Sequence, residues 1–350
     1  MMMRRTTIRW AVIAAPLIAA VLVPMLMKQR ADLPSVVVYC AHDSIFADSI
    51  LKTFEQRTGI QVQVRYDEEA NKSLGLTSLL LQEKANPRCD VFWNNQTLGT
   101  IRLQRAGVLQ PCEPAVFSRI PSRFRDPDHH WCGFSGRMRV WIINTDTNPC
   151  SEDFVASTMA GQDLSRVSIA VPLFGTTLTH YTELCYDVGL PALKDWHHSL
   201  HQRGIREARG NGAVRDLVAA GLCDLGLTDT DDVFAAIDAG KPVDMLPYRL
   251  PGGKTICIPN TVAMIRNCPH PSEARQLIAF LLSEETERKL ALSPARQIPL
   301  GPVNPESMPD DVQRLLPWAA DATTPTLAAE QDEACLSWLT SIYNQGVSKP

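Results

Sequence analysis

The sequence predicts an α/β fold of two lobes joined by two hinge crossover strands. Three observations predict it. Strand-like and helix-like segments alternate from residue 35 onward, two long extended segments stand where a chain would leave one lobe and return to it, and 350 residues provide for two units of ordinary size. The 25 prolines exceed what an all-helical bundle tolerates, and 45% hydrophobic with 21% charged residues is the composition of a folded chain. A net charge of −4 advertises no large basic surface, so nucleic acid is not an expected partner.

The first element is SVVVYC, where Val36, Val37, Val38 and Tyr39 make a buried parallel-type strand. Phe46, Ile50, Leu51 and Phe54 then recur at helical spacing, and Gly59 closes that helix. QVQVRY follows as an alternating strand, SLGLTSLLLQEKA as a helix, CDVFWNN as a third strand and TLGTIRLQRAGVLQP as a third helix. This alternation predicts a parallel sheet covered by helices. HHWCGFSGRMRVWIINT is the first crossover. VSIAVPLFGTTLTHYTELCYDVG repeats strand, turn and helix, and GAVRDLVAAGLCDLGLTDTDDVFAAIDAG adds helix, short strand, acidic turn and helix. TICIPNTVAMI is the returning strand, and PSEARQLIAFLLSEETERKLAL an amphipathic helical pair. The expected division is 34–142 plus 257–305 for the first lobe, 143–256 for the second, and a C-terminal helical segment, 306–350, packing back on both.

The segment 1–33 stands apart. Arg4, Arg5 and Arg9 precede an apolar run over 10–27, which Lys28, Arg30 and Asp32 end. A positive start followed by an apolar stretch is an export signal, and the run is just long enough to span a bilayer as a helix. Signal peptide and N-terminal membrane anchor both remain open, with membrane contact through this segment. Either way the rest of the chain faces the periplasm or cell surface, an oxidising compartment. The ten cysteines show no CxxC and no zinc-type spacing. Cys40, Cys223 and Cys257 lie in apolar runs as small buried hydrophobes, whereas Cys112 and Cys132 read as more exposed and are the pair expected to bridge.

In a parallel α/β sheet, ligands bind beyond the carboxyl ends of the strands. Those ends place His42 and Asp43 after the first strand, 67–71 after the second, and Asn94, Asn95 and Gln96 after the third. Strand ends are polar in any protein. Their convergence on one sheet edge is what points to a site.

In order along the chain, DVFWNN, GFSGRMRV, GLTDTDDV and IPNTVAMIRNCPHPSEARQLIAFLLS resemble the periplasmic binding proteins of ABC transporters, ferric-ion-binding type, over about 35–345. The resemblance implies the type II periplasmic-binding-protein fold, an interlobe cleft, an ABC permease and ATPase as partners, and no enzymatic activity. It also implies a metal ion with a synergistic anion. By motif, the metal positions fall on His42, Asp43, Asp231 and Asp232. Ligand contacts fall in addition on Asn95, on the anion turn Gly175, Thr176 and Thr177, and on Asn211 and Asp229. The sequence departs from the family where the metal would sit: the tyrosine pair is replaced by Asp231 and Asp232, and the third-strand Glu by an amide.

Read as chemistry, Asp229, Asp231 and Asp232 exceed what capping one helix requires, with Asp229 or Thr230 expected to cap. Clustered carboxylates repel, which a hard cation or an organic amine would relieve. Gly175, Thr176 and Thr177 open a helix and form an anion site as readily as an ordinary cap. Arg137 and Arg139 suit either a structural ion pair near the hinge or the ligand. Cation and anion sites side by side fit a metal with its anion or a zwitterionic solute. No GxSxG, HExxH, phosphate-loop or dinucleotide motif is present, which argues against an enzyme. The adjacent pairs His129-His130 and His197-His198 are assigned to surface or packing, since neighbours on a helix face different ways. A membrane-tethered ligand sensor is the third class.

Overall fold

The computed structural model describes residues 34–67, 74–323 and 325–344. The segment 1–33, read from the sequence as a signal peptide or anchor, and most of the loop after the second strand lie outside the described residues. Among the described residues no helix is long and apolar enough to cross a membrane.

The first third alternates as expected. β1 (Ser35–Cys40) is followed by α1 (Ser44–Thr58), β2 (Gln61–Tyr66), α2 (Leu74–Gln82), β3 (Val91–Asn94) and α3 (Leu98–Arg105). Helix α1 buries Ala47, Ile50, Leu51 and Phe54 and ends at Gly59, whose φ of 72° is the left-handed conformation that glycine adopts without strain. The short β4 (Leu109–Gln110) precedes the crossover β5 (Trp131–Asn144), buried along its whole length.

The chain continues with α4 (Glu152–Ala160), β6 (Val167–Ala170), α5 (Gly175–Val188), α6 (Leu190–Gln202), β7 (Arg206–Ala208), α7 (Asn211–Ala219), β8 (Leu225–Asp229), α8 (Thr230–Asp238) and β9 (Val243–Pro247). It then forms β10 (Cys257–Ile265), α9 (Pro271–Leu281) and α10 (Glu284–Leu292), and after several short turns ends in α11 (Asp332–Asn344).

Two half-sheets share one strand. In the first, β2, β1 and β3 are parallel, β10 lies antiparallel to β3, and the first half of β5, from Trp131 to Met138, pairs with β10. In the second, β5 from Arg139 onward runs between β8 and β9, with β6 and β7 parallel beyond β8. The ladder changes partners between Met138 and Arg139. The return passes the same point, since Tyr248 N–H donates to Arg139 O and Arg139 N–H to Ile256 O, both at 3.0 Å. β10 begins only at Cys257, opposite Met138, so its paired length lies wholly in the first half-sheet.

The expected Cys112–Cys132 bridge is not formed, and none of the ten cysteines is in a disulfide. Cys112 and Cys132 are buried rather than exposed. Burial raises both thiols, Cys112 to about 11, which removes the thiolate that oxidation needs.

One buried acid in the second lobe gives a pH prediction. Glu183, on α5, is pushed up to about 7, chiefly by burial. Between the ordinary carboxylate range and pH 7 the folded chain holds a proton that the unfolded chain has released, so this group's contribution to stability falls as pH rises across that window. The gap limits the effect to about 3 kcal/mol. His180, held neutral first by burial and then by Arg139, acts in the opposite sense on the acid side. Comparing wild type with Glu183→Gln in urea at pH 5 and pH 8 cancels the histidine. The wild type should lose stability relative to the variant as pH rises, and a constant difference would refute the assignment.

Candidate functional site

A cleft of about 710 Å³ lies beside the crossover. His42, Asp43, Asn95, Gly175, Thr176, Thr177, Asn211, Asp229, Asp231 and Asp232 line it together, whereas Asn94, Gln96 and Arg139, also singled out from the sequence, are not among the lining residues. They come from the carboxyl ends of β1, β3 and β8 and from the starts of α5, α7 and α8.

Three helices start in the cleft without a side-chain cap. The cap positions are Phe174 for α5, Gly210 for α7 and Asp229 for α8, and no side chain at any of them accepts a bond from the helix. Free N–H groups and the positive ends of three dipoles therefore face one space, which favours an anion. Gly175 opens α5 with φ +60° and open space where a Cβ would stand, so the turn needs glycine for its conformation.

Asp229 or Thr230 was expected to cap α8, and the cap position falls on Asp229. Its backbone holds that position, but its carboxylate turns away. Asp229 is the register partner of Arg139 across β5 and β8, and Arg139 Nη1 donates to Asp229 Oδ1 at 2.7 Å. Asp229 Oδ2 accepts from Thr176 Oγ1 at 2.5 Å and from Asn211 Nδ2 at 2.9 Å. Thr177 Oγ1 donates to Asn211 Oδ1 at 3.2 Å. The threonine hydroxyls and Asn211 thus tie three helix starts to a buried ion pair, and the anion donors left are backbone N–H groups. A charge this enclosed outbids capping, because an ionised pair out of water must find each other.

Arg137 joins the halves. It pairs with Ile258 in the first half-sheet, donates from Nη2 to Asn95 O at 2.7 Å, and brings Nε to 3.4 Å from Asp229 Oδ2 in the second. Burial works against its charge, but Asp231, Asp229, Asp43 and Asp232 outweigh burial and raise its pKa. Asp232 accepts from Thr228 Oγ1 at 2.8 Å and lies 3.9 Å from Arg215. Burial first, then Asp231 and Asp229, push its pKa up. Oxygens of Asp229, Asp231 and Asp232 lie within 4.8 Å of one another, close enough to share one cation.

On the first-lobe wall, His42 is stacked between Phe46 and Trp93, with Nε2 at 3.4 Å from Gln297 Nε2. Asn95 is 5% exposed, and its Oδ1 is out of solvent with no hydrogen-bond partner. A buried acceptor left open at a cleft wall is a place for a ligand's donor.

The sequence did not single out Arg209, which lines the cleft just after β7. It follows the same strand-end rule as the others, but a three-residue strand is too short to show in a hydrophobic pattern. Both signs line the cleft, Asp43, Asp229, Asp231 and Asp232 with Arg137 and Arg209, while Arg139 and Arg215 reach Asp229 and Asp232 from outside the lining. Such a site suits a ligand carrying both signs.

Comparison with known proteins agrees with this architecture. The profile of the bacterial extracellular solute-binding protein family matches residues 36–291. The major ferric iron-binding protein of Neisseria meningitidis is 24% identical over 314 residues, 85% of this chain and 88% of that protein. Iron-bound HitA from Pseudomonas aeruginosa superposes with a TM-score of 0.74 at 21% identity, covering 87% of this chain and 99% of that one. AfuA from Actinobacillus pleuropneumoniae, solved with fructose-6-phosphate, gives 0.69 at 15% identity, covering 88% and 98%. These structures share the two-lobed α/β fold predicted from the sequence. The profile covers well over half the chain, and it describes proteins that bind solutes rather than transform them: the chain belongs to the bacterial extracellular solute-binding protein family.

Proposed function

We propose that this protein is the extracytoplasmic substrate-binding component of an ABC importer, and that its interlobe cleft captures a hard metal cation, ferric iron foremost, together with a small anion. The observation that carries the reading is the juxtaposition within one cleft of the carboxylates Asp231 and Asp232 with three uncapped helix starts. Carboxylate oxygens suit hard cations, and helix starts suit the anion that completes their coordination. The relatives named for ferric iron support this choice. Asp43 and His42 approach the cation from the first lobe, with Asn95 Oδ1 accepting from a water or anion proton.

A second reading, a small organic solute bearing both charges, is favoured by two features. The cleft volume is that of sites for organic ligands, and no tyrosine is among the described residues that line it. The phosphate sugar in the AfuA structure belongs to the same fold. The test is titration of the metal-stripped full chain with ferric citrate and, separately, with a panel of phosphorylated and zwitterionic metabolites. Thermal unfolding and small-angle scattering supply the readouts. Ferric binding should raise the unfolding temperature and shrink the radius of gyration, because both lobes contact the ligand only when closed. No response to iron with closure on an organic solute would establish the second reading. The same scheme places the protein outside the cytoplasmic membrane, beside its permease and ATPase, with the N-terminal segment as signal peptide or anchor.

A further inference from the structure

The geometry points to a second metal site outside the cleft, in which His197, His201 and Glu207 hold a divalent transition cation of the zinc class. His197 and His201 lie one turn apart on α6, so they share a face, and Glu207 follows on β7, the edge strand of the second half-sheet. One ligand atom from each lies within 4.8 Å of the others. The two imidazole centroids are 4.4 Å apart.

The separations are those of a coordination shell rather than of a hydrogen-bonded cluster. His201 Nε2 stands 3.4 Å from Glu207 Oε1. That matches the edge of a tetrahedron with metal–ligand bonds of about 2.0–2.1 Å, which is about 3.3 Å. It is long for a charge-assisted hydrogen bond, and His201 Nε2 is out of solvent with no hydrogen-bond partner. A ring nitrogen out of solvent, facing a carboxylate beyond hydrogen-bond geometry, is an arrangement a cation resolves.

The outer shell is already in place. The Tyr181 hydroxyl and His197 Nδ1 are 3.0 Å apart, which fixes the ring and leaves its other nitrogen for a ligand. The Tyr343 hydroxyl, from α11, donates to Glu207 Oε1. Ligating imidazoles and carboxylates in metal sites are oriented by such partners. His197 is 6% exposed, with Trp338 edge-on at 5.4 Å, so the site has a dry floor. Two imidazoles and one carboxylate select zinc, nickel or copper over magnesium and calcium, and they leave a fourth position for water. The cation would clasp α6 to the edge strand and, through Tyr343, to the C-terminal helix.

The test uses the metal-stripped full chain and zinc as the probe. After incubation with zinc and desalting, elemental mass spectrometry counts ions per chain, and competition with a chromophoric chelator gives affinity. The wild type should retain zinc at this site. His201→Gln and Glu207→Gln should each lose that ion or weaken it by ~100-fold, while Asp231→Asn with Asp232→Asn keeps it. Cobalt in place of zinc should give the visible absorption of a tetrahedral site in the wild type and not in His201→Gln. The proposal is overturned if the wild type retains no zinc, if both α6 and β7 variants bind as the wild type does, or if only the cleft variant loses the ion. Because the cleft variant is assayed separately, failure here leaves the ferric reading untouched, and the converse holds.

Discussion

Replacing Asp231 and Asp232 together by Asn should abolish most of the ligand-induced stabilisation while leaving the empty protein at least as stable as wild type. Both carboxylates line the cleft in the first turn of α8, where Asp232 is half-buried beside Asp231 and Asp229 and resists ionisation. Removing two like charges relieves that repulsion, and Asn keeps the shape and polarity of the turn. A helix-capping role predicts nothing of this kind, because Asn caps about as well as Asp. In any case the cap position belongs to Asp229. Stabilisation by ligand follows RT ln(1 + [L]/Kd), so a 1,000-fold loss of affinity at saturating ligand removes about 4 kcal/mol of it. Thermal unfolding with and without ferric citrate measures the difference. A double variant that keeps the full shift would move the cation elsewhere in the cleft.

Arg139→Met is expected to be the most destabilising single change in the second lobe. Arg139 is fully buried, and its Nη1 serves Asp229, Asn211 and, at 3.4 Å, Thr176. Removing one partner of a buried pair costs about 3–5 kcal/mol, because the other charge stays behind. Arg137, 3.4 Å from Asp229, places the expected loss at the lower end of that range. Adding Asp229→Asn should restore part of it, since the stranded charge goes too. Arg139→Lys should not rescue fully: the contacts converge on Nη1, and the lysine nitrogen stands one bond short of that position. Urea unfolding of the three variants decides the matter. A loss under about 1 kcal/mol for Arg139→Met would mean that water already reaches this pair.

Most of the fold was legible because its signals are local. Val36, Val37, Val38 and Tyr39, the Phe46–Ile50–Leu51–Phe54 spacing and the α9–α10 pair each specify an element by periodicity. β7 and β9 were not read. The first is three residues long, and the second is a five-residue stretch of alternating buried and half-buried positions that ends in Pro247. The cleft residues were legible because the strand-end rule turns a one-dimensional list into a location. Their roles were not, because they depend on partners distant in sequence. Nothing near Asp229 announces that Arg139, 90 residues away, will claim its carboxylate. The same limit hid the zinc-class site: attention to the adjacent His197-His198 pair missed the one-turn partner His201, and Glu207 joins only through the packing of β7.

The position of the Arg137–Asp229–Arg139 cluster has a kinetic consequence. It sits where β5 changes sheets, between Met138 and Arg139, the point the returning chain also passes. Contacts near a rotation axis change length little as the bodies on either side turn, so the two halves can swing without rupturing their strongest electrostatic bonds. The barrier to closing then lies in draining water from the cleft mouth rather than in breaking ion pairs. Buried pairs are also poorly screened by added electrolyte. The rate at which the empty protein samples its closed form should therefore respond to solvent viscosity and be nearly indifferent to ionic strength.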